Sequence, residues 1–196
     1  PLGTFTLLGA ANRDWEDIAT GRCGAVGCIY LADTGDNEEV RSHLDLYRVA
    51  EPTSVEEGGI LPSLRFPMRL PDGPRDIEAM FVLPEEQIFL LSKGRSHPVT
   101  LYRYPPPLRP GEEITLEEVQ TLTKGPVLLP HQVTGAGASP DGAVVAVRTY
   151  RSLSFYRMVD GRLALLDGGR VDRRTLQEAQ GEGVAIGPGQ WVALTS

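Results

Sequence analysis

Short apolar runs alternate along the chain with turns rich in Pro, Gly and Asp. Three hairpins share one layout: Ile77 to Leu91 around Pro84, Val133 to Val147 around Ser139-Pro140-Asp141-Gly142, and Val184 to Leu194 around Gly187-Pro188-Gly189. Pro presets φ and the neighbouring Gly or Asp tolerates unusual backbone angles, so each is a turn on physical grounds. The hairpin prolines recur at intervals of 56 and 48 residues. An independent marker, Leu46-Tyr47-Arg48, Leu101-Tyr102-Arg103 and Phe155-Tyr156-Arg157, recurs at 55 and 54, and two markers with nearly one period define an internal repeat.

Each unit runs from an inner strand through the hairpin to a stronger apolar strand (Ile29 to Ala32, Ile88 to Leu91, Val144 to Val147, Val192 to Leu194) and then the Leu-Tyr-Arg strand. A fourth strand follows near Leu64 to Leu70, Leu116 to Leu122 and Leu163 to Leu166, although Val119 to Leu122 and Thr175 to Ala179 also fit single helical turns. Four strands per repeat predict an all-β fold, a β-propeller of four-stranded antiparallel blades. The expected divisions are 1–10 as the outer strand of a preceding blade, 14–72, 76–125 and 131–172 as whole blades, and 180–196 as half of another. That is about three and a half blades of a wheel that typically needs four to eight, so the chain reads as an excerpt, with a six-bladed parent expected.

Composition adds mainly exclusions. The 196 residues carry 19 Lys+Arg and 26 Asp+Glu, a net charge of −7. The basic residues are scattered singly, which argues against nucleic acid and anionic membranes as partners. No apolar run approaches the roughly 20 residues of a membrane-crossing helix.

Candidate chemistry gathers at one place in the repeat. Six positions before the hairpin proline stand Glu78, Thr134 and Glu182, and Glu16 is their match in the first unit. Inner strands surround a propeller's channel, so these side chains are expected to converge at its mouth. Like charges brought together need a cation or a basic partner. Glu16, Glu78 and Glu182 are therefore the expected metal ligands, and an all-oxygen set favours Ca²⁺ or Mg²⁺ over zinc. The alternative is that each Glu bonds to a neighbouring backbone or pairs with Arg. Lys93 and Arg148, at the ends of apolar strands, serve either as anion-binding groups or as the counter-charges that make a metal unnecessary. Asp14, Asp17, Asp33 and Asp36 come from the same part of the first unit, with Thr134 and His131 near the mouth of the third, and all six are candidate ligand-binding residues. Asp33-Thr34-Gly35-Asp36-Asn37 lacks the spacing of a helix-loop-helix Ca²⁺ loop, and a solvated loop with Asx turns is its simpler reading.

The serine-hydrolase elbow, zinc-protease, phosphate-loop and dinucleotide fingerprints are all absent. Cys23 and Cys28 flank the first unit's turn, where the other units use proline, and a disulfide there would staple that turn and imply an extracytoplasmic location; two free cytosolic thiols are the alternative.

Asp14-Trp15-Glu16-Asp17-Ile18-Ala19, Asp33-Thr34-Gly35-Asp36-Asn37 with Arg41, Tyr47-Arg48-Val49-Ala50-Glu51-Pro52, Arg148-Thr149-Tyr150 and Gln180-Gly181-Glu182 together resemble a family of bacterial secreted β-propeller proteins without an established activity. That family is distantly similar to six-bladed propeller lactonases and phytase-like propellers. The resemblance implies export, a propeller fold, and a divalent cation held by carboxylates from several blades, for which Glu16, Glu78 and Glu182 are the matching positions. The expected function is an extracytoplasmic propeller binding Ca²⁺ and a small or peptide ligand. The alternatives are a metal-dependent hydrolase of lactones or phosphate esters, and a scaffold for a protein partner.

Overall fold

The computed structural model describes residues 3–55, 57–172, 181–189 and 191–195. It is all-β, 56% strand and 3% helix. After β1 (Thr4–Leu8), the first sheet is built from β2 (Trp15–Cys23), β3 (Val26–Asp33), β4 (Leu44–Ala50) and β5 (Glu57–Arg69). The second sheet uses β6 (Ile77–Leu83), β7 (Gln87–Ser92), β8 (Thr100–Arg103) and, after the short β9 (Ile114–Thr115), β10 (Glu117–Thr121). The third is β11 (Val133–Ala138), β12 (Val145–Thr149), β13 (Ser152–Val159) and β14 (Arg162–Asp172), and β15 (Val184–Ile186) pairs with β16 (Val192–Leu194). Each set of four is antiparallel in chain order, the short connections allowing neighbouring strands to pair directly. The sheets form no closed ring among the described residues.

The expected organisation needs one revision at the N-terminus. Residues 4–8 do not belong to a separate unit; β1 pairs in parallel with Glu57–Pro62 on the outer edge of the first sheet. β5 is 13 residues long; β4 pairs with Ser63–Met68 and β1 with Glu57–Pro62, so β1 shields part of an edge strand. β9 pairs with Met68–Arg69 at the other end. Residues 117–121, where a helical turn was an alternative, form a strand; Thr175 to Ala179 lie outside the described residues.

Packing follows from strand alternation. Along β7, Ile88 and Leu90 enter a core shared with Tyr30, Leu46, Phe66 and Met68 of the first sheet. Phe89 and Leu91 enter a second core with Val133, Val145 and Val147 of the third. Both faces of the middle sheet are therefore dry, which is why its strands read as continuous apolar runs rather than alternating ones. Phe81 and Phe89 stack within the second core, centroids 5.1 Å apart. A smaller core of Ala146, Leu153, Val184 and Ile186 joins the third sheet to β15. The first strands β2, β6, β11 and β15 lie successively side by side.

Two contacts fix that inner grouping. Asp17 Oδ2 accepts hydrogen bonds from Met80 N–H at 2.8 Å and Ala136 N–H at 3.2 Å, so one carboxylate from β2 ties three sheets together. Fully buried Arg148 donates from one guanidinium nitrogen to the carbonyls of Gly183 and Thr195, at 2.5 and 2.6 Å, holding the β15–β16 hairpin against the third sheet. Cys23 and Cys28 form a disulfide across the β2–β3 turn, with Cα atoms 5.8 Å apart.

Candidate metal centre

The site begins with a backbone irregularity that occurs three times. In the β2–β3 pairing Trp15 faces Asp33 and Asp17 faces Ala32, leaving Glu16 without an opposite residue. Glu78 is displaced in the same way between Ile77 and Ala79, and Thr134 between Val133 and Gly135. An extra residue in one strand reverses the inside-outside alternation on either side of it. Ile77 and Met80, an odd and an even position, consequently share one core. The bulge keeps the apolar faces buried while re-aiming the extra side chain, and in the first two sheets that side chain is a glutamate.

Glu16, Glu78 and Asp76 form one group, each contributing an oxygen within 4.8 Å of the others. Asp76 and Glu78 are buried, Asp76 at 1% exposure. Lys93 Nζ lies 2.5 Å from Glu78 Oε1 and 3.5 Å from Asp76 Oδ2, and Arg95 reaches within 3.8 Å of the same Asp76 oxygen. Asp76 Oδ1 accepts the Asp36 N–H at 2.9 Å, whereas Oδ2 is buried and accepts no hydrogen bond among the described residues.

The β3–β4 loop of the first sheet lies against the group. Asp33 accepts the N–H groups of Arg13 and Asp14 and pairs with Arg41 at 3.1 Å. Asp36 accepts the N–H groups of Val40 and Arg41. At the loop's centre, a Cβ on Gly35 would stand 2.2 Å from Glu16 Oε1 and 2.4 Å from Asp14 Oδ2. Any larger residue there would force those two carboxylates to shift.

The electrostatics follow from this crowding. Burial, then repulsion from Glu78, Asp14 and Asp76, raises the Glu16 carboxyl to about 8, with Lys93 opposing. Glu78 is also raised, by burial above all, against the pull of the Lys93 hydrogen bond. For Lys93, burial acts to lower the value, but Glu78 and Asp76 outweigh it and the ammonium is held charged. Asp17 is raised to about 7 by burial, in spite of its three backbone donors.

The sequence-derived candidates divide accordingly. Glu16 and Glu78 come together, with Asp14 against the same glycine. Glu182 does not join the cluster of Glu16, Asp76 and Glu78. It holds the matching place in the fourth unit, where Glu182 N–H and Gly183 C=O both bond to Thr195, but β15 lies beyond β11 from the acidic strands. Lys93 is the counter-charge of Glu78 and Asp76. Asp17, Asp33, Asp36 and Arg148 use their polar atoms on backbone groups and Arg41, as structural ties. Thr134 is buried at the third bulge, and His131 is exposed in a short 3₁₀ turn (Leu129–His131) before β11.

Asp76 and Arg95 were missed. A signal for Asp76 was present: Asp14-Trp15-Glu16 and Asp76-Ile77-Glu78 repeat one Asp-x-Glu spacing. Beside the cluster lies an open cleft of about 280 Å³ lined by Arg13, Asp14, Gly35, Asp36, Asn37 and Arg41 among others. A separate apolar cavity of about 470 Å³, bounded by Val144, Phe155, Ile186 and Val192, includes none of the clustered residues. Among the described residues no helix is long and apolar enough to cross a membrane. No protein-family model matches the chain, and no curated protein does.

Proposed function

We propose that the chain is part of a β-propeller that works outside the cytoplasm and binds a divalent cation, Ca²⁺ in the first instance, at the mouth of its channel. The supporting observation is the convergence of Glu16, Asp76 and Glu78 from two sheets, with Asp76 Oδ2 buried and accepting no hydrogen bond. Three acids are crowded against the Lys93 ammonium and the more distant Arg95 guanidinium in a place largely withdrawn from water, and a hard cation with oxygen ligands matches the donors and would relieve the crowding. The four-stranded antiparallel sheets, packed face to face with their first strands adjacent, support the propeller reading. The Cys23–Cys28 bridge supports an oxidising compartment. A small or peptide ligand enters through the cleft at Asp14, Gly35 and Asn37 and meets the cation there.

Calorimetric titration of Ca²⁺ into chelator-treated protein, with Mg²⁺ and Zn²⁺ for comparison, tests the reading. One Ca²⁺ bound per chain by wild type, lost in Asp76→Asn, is the expected result. Absence of binding by wild type would leave Lys93 as the whole answer to the buried charge and would sink the proposal.

A further inference from the structure

The third sheet carries the same bulge, but the displaced residue is Thr134. It is 1% exposed, and its Oγ1 is buried with no hydrogen-bond partner among the described residues. Leaving a hydroxyl in that state costs about 1–3 kcal/mol, and native structures ordinarily fill such a place with a water or a ligand.

Its position relative to the acidic group follows from the backbone of Lys93. Lys93 N–H bonds to the Asp76 carbonyl at 2.9 Å, and the Lys93 carbonyl accepts the Val133 N–H at 3.0 Å. One residue therefore links the aspartate of the cluster to the residue preceding Thr134. β11 also packs beside β6, so that two bulges of the same register, at Glu78 and Thr134, occupy neighbouring inner strands. Thr134 holds in the third sheet the bulge position that Glu16 and Glu78 hold in the first two. The two buried oxygens that accept no hydrogen bond in this region, Asp76 Oδ2 and Thr134 Oγ1, thus lie on either side of the Lys93 segment in the bonding order.

Resting on the cation reading above, we propose that Thr134 is a positioning residue of the site: its hydroxyl accepts a hydrogen bond from a water carried by the bound cation. The first two sheets hold the ion through carboxylates and the third holds it through that water. A neutral hydroxyl suits this role because a further carboxylate would add repulsion to a cluster that already brings three carboxylate oxygens within 4.8 Å of one another.

The test compares wild type, Thr134→Val and Thr134→Ser by Ca²⁺ calorimetry and by melting in chelator. Valine matches threonine in shape and removes only the hydroxyl, so the metal-free Thr134→Val protein melts at or above the wild-type temperature. Its Ca²⁺ affinity falls about tenfold, the scale of losing a group that orients the ligands of a metal. Thr134→Ser restores the affinity to within about twofold of wild type. Equal Ca²⁺ affinity in wild type and Thr134→Val overturns this inference and leaves the metal centre standing. A lowered melting temperature of metal-free Thr134→Val also overturns it, because the hydroxyl would then have a structural partner. If wild type binds no Ca²⁺, the cation reading itself has failed.

Discussion

Replacing Glu16 with Gln separates the electrostatic account from a purely architectural one, because it moves two measurements in opposite directions. The Glu16 carboxyl is raised from 4.5 to about 8, chiefly by burial and then by its acidic neighbours. A protonated carboxyl does not ligate a cation, so wild-type Ca²⁺ affinity should rise with pH, the Glu16 proton alone contributing about fiftyfold between pH 6 and pH 8 and the raised Glu78 adding to it. The metal-free protein should behave in the reverse sense. Its folded state holds a proton that the unfolded chain releases near 4.5, so the associated stability is complete below that pH and is lost as pH climbs through 8. The loss is at most about 1.4 kcal/mol per pH unit, less for a half-buried group that solvent partly screens. Glutamine mimics the protonated acid at every pH. Glu16→Gln should therefore flatten this share of the pH dependence of stability in chelator while weakening Ca²⁺ binding severely. Urea melts at half-unit pH steps, with parallel calorimetry, read both quantities. A Glu16→Gln protein that binds Ca²⁺ as tightly as wild type, or whose stability follows the same pH slope, refutes the reasoning.

Four further outcomes follow from the same contacts. Asp17→Ala strands the inward N–H groups of Met80 and Ala136 and should cost about 2–4 kcal/mol in urea unfolding, with Asp17→Asn losing less because one acceptor remains; unchanged midpoints would remove Asp17 from its role as a tie. Opening the Cys23–Cys28 bridge, which closes only a short loop, should lower stability by about 2 kcal/mol, and a thiol assay of the denatured, unreduced protein should find no free thiol. Gly35→Ala places a methyl against the Glu16 and Asp14 carboxylates and should weaken Ca²⁺ binding at least about tenfold while far-ultraviolet dichroism stays that of wild type. Lys93→Met leaves Asp76 and Glu78 without their ammonium and should cost about 3–5 kcal/mol in chelator, of which a hundredfold excess of Ca²⁺ over its dissociation constant returns about 2.7 kcal/mol; failure of Ca²⁺ to recover any stability would show that the ion does not occupy this place.

What could be read from the chain depended on whether the information was local. Turn residues fix hairpins locally, and the strand order within each sheet follows from them. Counting back from the hairpin prolines found the bulge positions Glu78 and Thr134, and Glu16 was matched to them in the first unit, because a repeated backbone irregularity requires a repeated spacing. The count did not reveal which equivalent positions meet. Glu182 matches the others by spacing yet stays outside the cluster, since convergence depends on how the sheets are set around one another. Asp17 and Arg148 looked like ligand-binding groups by residue type. Among the described residues both bond to main-chain atoms of neighbouring sheets, 63 and 119 residues away for Asp17 and 35 and 47 for Arg148. β1 was misplaced for a related reason: nothing in Thr4–Leu8 itself shows that its partner is Glu57–Pro62, some 53 residues on.

The asymmetry of the site carries the functional argument. The three successive bulge segments read Asp14-Trp15-Glu16, Asp76-Ile77-Glu78 and Gln132-Val133-Thr134, so the pattern acid-x-acid, acid-x-acid, amide-x-hydroxyl loses its charge at the third sheet. The same bulge register carries different side chains, and the acidic cluster lies at the junction of the first two sheets. Lys93 stands at the edge of that region, its ammonium turned to the acids and its carbonyl to the neutral sheet. A structural ring of counter-charges would distribute acids and bases evenly around the inner strands. Here the acids are crowded until one of them is held protonated near neutrality, and the loop against them approaches so closely that any residue larger than Gly35 would force two carboxylates to shift. Crowding of that kind is unfavourable for the fold by itself and becomes favourable once a multivalent cation replaces the proton. Such an ion would be gripped by carboxylates on one side and face the Asp14–Asn37 cleft on the other, where a ligand oxygen could complete its coordination.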